Sequence, residues 1–204
     1  MLNVAVLGST RGTDLQAVID AIESKKLKDV KIFFVLSNKK DAYILERARK
    51  HGIKDIFLDP QGKTREEYDK EITKLLEKHK VELIVLIGYM KLMSNEFVDR
   101  WRNKVMNIHP SLLPMFAGGM DKNVHKAILD YGCKVSGCSL IFIDEGADTG
   151  PVVLQKAVDV VEGETVDSLK DKVQEAEKEI IIKGIELFRD GKIKVKGRIV
   201  HILE

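Results

Sequence analysis

The chain has 204 residues, 44% of them hydrophobic and 32% charged, a mixture that excludes a disordered segment and suits one globular domain. With 34 basic against 32 acidic side chains, its net charge of +2 gives no electrostatic reason for nucleic acid or an anionic membrane as partner. Apolar runs such as VELIVLIGYM are too short for a bilayer, no secretory leader is read at the start, and two cysteines, Cys133 and Cys138, make neither a disulfide framework nor a four-cysteine zinc site. A reducing cytoplasm is the expected compartment.

In chain order, short runs rich in Val, Ile, Leu and Phe at 4–7, 31–36, 56–58, 83–87 and 105–108 predict strands. Charged stretches with helical spacing at 15–22, 42–50 and 65–78 lie between them, and the last puts Ile72, Leu75 and Leu76 on one face. Runs apolar on both sides imply strands covered by helices on both faces, so the expected fold is α/β with a doubly wound, mostly parallel sheet. Beyond residue 110 the pattern changes. A loop is expected at 114–121, containing Gly118-Gly119, and a short helix at 123–131. Strands at 134–143 and 152–160, joined by a turn at 146–151, form an antiparallel C-terminal part. A long helix spans 165–189, with Thr165 as N-cap, Ser168 failing to complete a capping box, and Gly191 as the stop. The tail, 192–202, is expected to be a surface hairpin. No linker or repeat divides the chain, so one domain is expected over 1–204.

The first strand leads into Gly8-Ser-Thr-Arg-Gly12-Thr13-Asp14 and then a helix, which places free backbone N–H groups where an anion could sit. A plain βα turn is the alternative. A P-loop is excluded because Thr13-Asp14 follows Gly12 in place of Lys-Ser/Thr, and a dinucleotide site is excluded because the second strand ends at Ser37-Asn38 without an acid. A small phosphorylated metabolite fits better than NAD or ATP.

The chemistry is concentrated in Asn107-Ile108-His109-Pro110-Ser111-Leu112-Leu113-Pro114, at the C-terminal end of a strand, where open α/β sheets place ligands. Three of the four prolines, Pro110, Pro114 and Pro151, stiffen this region or its neighbour. Asn107 and His109, two apart on an extended strand, project to one side. A carboxamide can donate to a developing oxyanion and an imidazole can shuttle an amine's proton, which suits acyl transfer. In Asp144-Glu145-Gly146-Ala147-Asp148-Thr149-Gly150-Pro151, Asp148 sits at the tip of a turn, and a carboxylate beside His109 would stabilise the imidazolium. A polar β-turn is the alternative, since spacing alone does not bring Asp148 to His109. His51, His79, His125 and His201 read as solvated, and no paired Cys/His spacing supports a metal.

NIHPSLLP followed by GCSLIFIDEGADTGPVVLQ resembles the folate-dependent formyltransferases. VLGSTRGTDLQAVIDAI, SNKKDAYILERARKHGI, TREEYDKEI and VLIGYMKLMS narrow the resemblance to members that act on glycinamide ribonucleotide (GAR) in purine synthesis. The resemblance implies a nucleotide-binding half, 1–109, and a folate-binding half, 110–204. It implies catalytic roles for Asn107, His109 and Asp148, and GAR contacts from Gly12, Thr13, Asp14, Gln174, Glu175, Ala176 and Glu177. Folate contacts are implied for Arg65, Met90, Lys91, Leu92, Met93, Asn107, Asp144, Glu145, Gly146, Ala147 and Asp148. It further implies 10-formyltetrahydrofolate as formyl-donor co-substrate, no metal, GAR as acceptor, and compatibility with a homodimer.

Three positions depart from the family pattern. Ile141 stands where His is usual, removing a polar support. The loop MFAGGMDKNVH is longer than the common version. Asp14 replaces Asn beside the phosphate loop, so it is expected to point away or cap the helix while backbone N–H groups bind the anion. A methionyl-tRNA formyltransferase would need a basic tRNA-binding domain and a deformylase an N-terminal regulatory domain. A sugar-nucleotide formyltransferase and a non-catalytic folate binder stay open as alternatives.

Overall fold

The computed structural model describes residues 1–118 and 123–204. Its elements run β1 (Leu2–Gly8), α1 (Thr13–Glu23), β2 (Val30–Ser37), α2 (Tyr43–Lys50), β3 (Lys54–Phe57), α3 (Arg65–Lys78), β4 (Leu83–Ile87), α4 (Asn95–Arg100) and β5 (Val105–His109). They continue α5 (Val124–Tyr131), β6 (Val135–Phe142), β7 (Val152–Asp159), α6 (Val166–Arg189), β8 (Ile193–Lys196) and β9 (Ile199–Ile202). One seven-stranded sheet has the order β3-β2-β1-β4-β5-β6-β7. Strands β1 to β5 pair in parallel, and β6 and β7 are antiparallel. This is the expected α/β sheet with its antiparallel C-terminal part.

Alternation of side chains along each strand divides the core in two. Val4, Val6, Val35 and Val85 pack with Leu15 and Ile19 of α1, Ile44 of α2 and Ile181 and Ile185 of α6. Ala5, Leu7, Phe34, Leu36 and Ile84 pack on the other face with Tyr68, Ile72 and Leu76 of α3 and Phe97 of α4. The strand order reverses between β1 and β4, so the loops after these strands flank the crevice where such sheets hold ligands.

Several elements differ from expectation. Helix α4 was not foreseen: it has six residues and buries only Phe97 and Val98, too few to show a period, and its start is set by Ser94 Oγ accepting from Phe97 N at 3.3 Å. Strand β3 starts two residues before the expected 56, because its register is dictated by β2. The capping box of α6 does form: Thr165 Oγ1 accepts from Ser168 N at 3.1 Å and Ser168 Oγ accepts from Thr165 N at 3.0 Å, a serine hydroxyl doing what Glu or Gln usually does. The C-terminal hairpin β8–β9 forms on the surface as expected, with Ile193, Val195 and Val200 on its inner side packed against the core. Residues 119–121 of the predicted loop, including Gly119, and residue 122 after it lie outside the described residues.

Three histidines read as solvated are half-buried. His79 lies against Phe33 and Phe34, with ring centroids 6.0 and 5.5 Å away. His51 is held between Glu23 at 2.8 Å and Gln16 at 3.0 Å. In His125, burial first and the charge of Lys170 second push the imidazole below its ordinary range. Among the described residues, no helix is long and apolar enough to cross a membrane.

Candidate active site

Asn107 and His109 leave β5 on the same side and line a cavity of about 280 Å³. Asp148 reaches them from the β6–β7 turn, with a left-handed backbone (φ 57°) that short polar side chains tolerate better than others. His109 Nδ1 lies 3.3 Å from Asp148 Oδ2, and Asn107 Nδ2 donates to Asp148 Oδ1 at 3.3 Å. Gly118 N donates to Asp148 Oδ2 at 3.2 Å. The hydrogen bond from His109 holds the Asp148 carboxyl below its usual range, against the opposing effect of burial. His109 is only 6% exposed, and its Nε2 is buried with no hydrogen-bond partner among the described residues. One ring nitrogen is thus tied to a carboxylate while the other is left for a ligand atom.

Of the residues expected around a folate, Met90, Lys91, Leu92, Met93, Asn107, Asp144, Glu145, Gly146, Ala147 and Asp148 all line this cavity. Arg65 does not: it is exposed at the first residue of α3, whose buried side chains pack on the opposite sheet face from α1 and α6. Ile141, opposite Asn107 in the β5–β6 pairing and 1% exposed, makes that wall apolar where the family usually has imidazole.

Residues that the sequence did not single out hold the segment after His109. Ser139 faces His109 across β5–β6; its Oγ donates to Ser111 O at 2.7 Å and accepts from Leu113 N at 3.0 Å. Gln155 Nε2 donates to Ser139 Oγ at 2.8 Å and to Leu113 O at 3.1 Å. The only hint in the sequence is a polar residue interrupting an apolar run; the pairing register is what gives it a purpose.

A second patch forms where α1 packs on α6. Gly12 is the N-cap of α1 in left-handed conformation (φ 67°), and no side chain caps the helix. Its first turn therefore keeps backbone N–H groups that no capping side chain satisfies. Arg47 braces this turn, donating from Nε to Arg11 O at 2.8 Å. The loop is also stitched to the cavity wall, because Ser9 N donates to Gly88 O at 3.1 Å and Ser9 Oγ accepts from Met90 N at 3.1 Å. Gly12, Thr13, Asp14, Gln174, Glu175, Ala176 and Glu177 do not line the 280 Å³ cavity.

Asp14 does not cap α1. It is 5% exposed, its Oδ1 has no partner among the described residues, and it lies within electrostatic range of Glu177 of α6, itself 7% exposed. Burial pushes Asp14 up to about 6, with Lys178 partly offsetting and Glu175 adding. Burial, then the charge of Asp14, pushes Glu177 up to about 8. Each folded value is above its unfolded one, so neither carboxyl destabilises the fold well below pH 4, where both are protonated folded or unfolded. The cost grows as pH rises from the ordinary carboxylate range toward about 6 for Asp14 and about 8 for Glu177, and levels off above those values. Asp14→Asn should therefore stabilise the protein by roughly 2 kcal/mol at pH 8, a gain of several degrees in Tm, and by almost nothing at about pH 3. Thermal melts at the two pH values check this; an equal gain at both would contradict the burial argument.

A family model described as formyl transferase matches residues 2–185 of the chain. The chain is similar to the phosphoribosylglycinamide formyltransferase of Escherichia coli (strain K12), with 37% identity over 195 residues, covering 95% of this chain and 90% of that one. It is 39% identical over 195 residues to the trifunctional purine biosynthetic protein adenosine-3 of Gallus gallus, covering 95% of this chain and 19% of the relative. It spans between 14% and 20% of the trifunctional relatives from chicken, cattle, human and two insects. Among solved structures it resembles glycinamide ribonucleotide transformylase 1 from Symbiobacterium toebii, with a TM-score of 0.93 and 37% identity, covering 100% of this chain and 95% of that one.

Proposed function

The chain belongs to the formyl transferase family, and from this premise we propose that it transfers the formyl group of 10-formyltetrahydrofolate to the amine of GAR, giving formyl-GAR and tetrahydrofolate in de novo purine biosynthesis. The observation that carries the reading is the convergence of Asn107, His109 and Asp148 at one end of a cavity, with His109 Nε2 unclaimed. The bound donor supplies a formyl carbon already made electrophilic by its aryl amine nitrogen. The GAR amine attacks that carbon, and the C=O electrons move onto the formyl oxygen. Asn107 Nδ2 keeps one N–H beyond the one given to Asp148, and His109 Nε2 carries a second donor when the ring is protonated; both serve the developing oxyanion. Asp148 holds the ring at Nδ1 and positions a water that carries the amine proton to the folate nitrogen as its bond to the formyl carbon breaks.

The fit of the donor rests on the cavity itself: Met90–Met93 and Asp144–Asp148 border it, and Ile141 and Ile143 give it apolar walls. The uncapped start of α1, with Gly12 and Thr13, would take the GAR phosphate, and Gln174–Glu177 would run beside its glycinamide, Glu177 nearest the amine. Asp14, held back by burial against Glu177, leaves the phosphate to backbone N–H groups. A cytoplasmic location and a metal-free reaction belong to the same reading.

Mixing the protein with 10-formyltetrahydrofolate and GAR, with and without ATP, tests it. Release of tetrahydrofolate that depends on GAR and not on ATP is expected. Release that requires formate and ATP, transfer to an amino-sugar nucleotide in preference to GAR, or folate binding with no transfer to any amine would each overturn the reading.

A further inference from the structure

Asp148 sits on a turn with a left-handed backbone (φ 57°), a conformation that Asp adopts more readily than most residues. Inside the turn, Asp144 Oδ1 accepts from Gly146 N at 3.0 Å and from Thr149 Oγ1 at 2.6 Å. That closes the loop on itself, and its start is tied to β5 by Ile143 N donating to Val105 O at 3.0 Å.

Beyond the direct contacts of Asp148 with Asn107, His109 and Gly118, two arginines from outside the cavity hold the shoulders of the turn. Arg102, in the turn after α4, pairs with Glu145 on one shoulder of the loop and with Asp99 on its other side. Arg198, in the turn of the C-terminal hairpin between β8 and β9, donates from Nη1 to Thr149 O at 2.6 Å, on the other shoulder and one residue from Asp148. Neither arginine lines the cavity. The Glu145 pair is exposed at both ends, and such pairs add little. The Arg198 contact is also exposed, but it is a charge-assisted hydrogen bond to backbone and acts on the peptide adjoining the catalytic carboxylate. The hairpin itself is anchored by Ile193, Val195 and Val200 packing against the core, so Arg198 reaches Thr149 from a fixed base. It also lies beyond residues 2–185, the part matched by the family model.

We propose that Arg198 is a positioning residue: by holding the Thr149 carbonyl it keeps Asp148 against His109 Nδ1, which makes the C-terminal hairpin part of the catalytic apparatus. The inference rests on the formyl-transfer reading for its kinetic consequence, but its geometric content stands apart from it. Loss of the Arg198 contact releases the turn, Asp148 drifts from His109 Nδ1, and the imidazole loses its orientation.

The test has two arms on the full chain. In the first, the side-chain ¹⁵N signals of His109 are recorded in ligand-free wild type, Arg198→Met, Arg198→Lys and Asp148→Ala. The Arg198→Met spectrum is expected to move toward that of Asp148→Ala, with Arg198→Lys between it and wild type, because lysine keeps one donor on a stem of similar length. In the second, kcat for transfer to GAR is expected to fall at least about tenfold in Arg198→Met, the scale of a misplaced catalytic group, with KM for GAR unchanged and partial recovery in Arg198→Lys. In an Asp148→Ala background the same substitution should cost almost nothing further, since both act through one contact. A His109 spectrum in Arg198→Met identical to wild type overturns the inference whatever the activity. So does an Arg198→Met effect that multiplies that of Asp148→Ala. Wild-type protein that fails to formylate GAR while the His109 signals shift as expected overturns the substrate reading and leaves the positioning role standing.

Discussion

Asn107→Ala and His109→Ala are each expected to lower kcat for formyl transfer by at least a factor of about one hundred, the equivalent of about 2.7–4 kcal/mol for one lost oxyanion donor. The expectation follows from where the two side chains stand. Each lines the cavity, each is tethered to Asp148, and each keeps a hydrogen-bonding atom free for the ligand. Because both donors serve the same oxygen, the double variant should lose less than the product of the two single losses. KM for GAR should change little, because the residues proposed to hold GAR lie on α1 and α6, outside this cavity. Single-turnover rates at saturating GAR and 10-formyltetrahydrofolate measure the effect. Turnover near wild type in either single variant would remove that residue from the chemistry.

A single methyl group should do nearly as much damage from a different direction. Gly150 closes the Asp148 turn, and a Cβ built on it would lie 1.8 Å from Phe142 O and 3.2 Å from Asp144 N. Both are backbone atoms, so no rotamer change relieves the clash. Phe142 N donates to Pro151 O at 2.9 Å where β6 and β7 converge, and Gly150→Ala must either part that pairing or push the Asp144–Gly150 turn outward. The fold should lose about 1–3 kcal/mol or more, as overpacked sites do. Asp148, two residues away, moves with the turn, so kcat should fall at least about tenfold in the protein that remains folded. Urea denaturation and kcat per folded molecule test the two halves; wild-type stability together with wild-type kcat would show that the turn accommodates the methyl group.

The strands and most helices could be read directly because their signals are local. The runs at 4–7 and 83–87 are apolar on both sides because β1 and β4 are covered on both faces. The 65–78 helix could be read from its spacing, with Ile72, Leu75 and Leu76 on one face, and the structure adds the Thr64–Glu67 capping box that fixes its start. Helix α4 escaped because six residues give no period. Three of the four other histidines show the same limit: nothing in the charged surroundings of His79 shows that Phe33 and Phe34 lie beside it, while His201 is exposed as expected.

The sequence by itself determined the parallel sheet, the glycine turn before α1 and the chemical character of Asn107, His109 and Asp148, because hydrophobic period, backbone permissiveness and functional groups are properties of residues and near neighbours. Only the tertiary structure decided that Asp148 meets His109, that Ser139 and Gln155 brace the loop after it, that Asp14 turns inward to Glu177, and that Arg198 reaches across to Thr149. Those contacts join groups that strand pairing and helix packing bring together across tens of residues. Their energies depend on distance and burial, which no local pattern encodes.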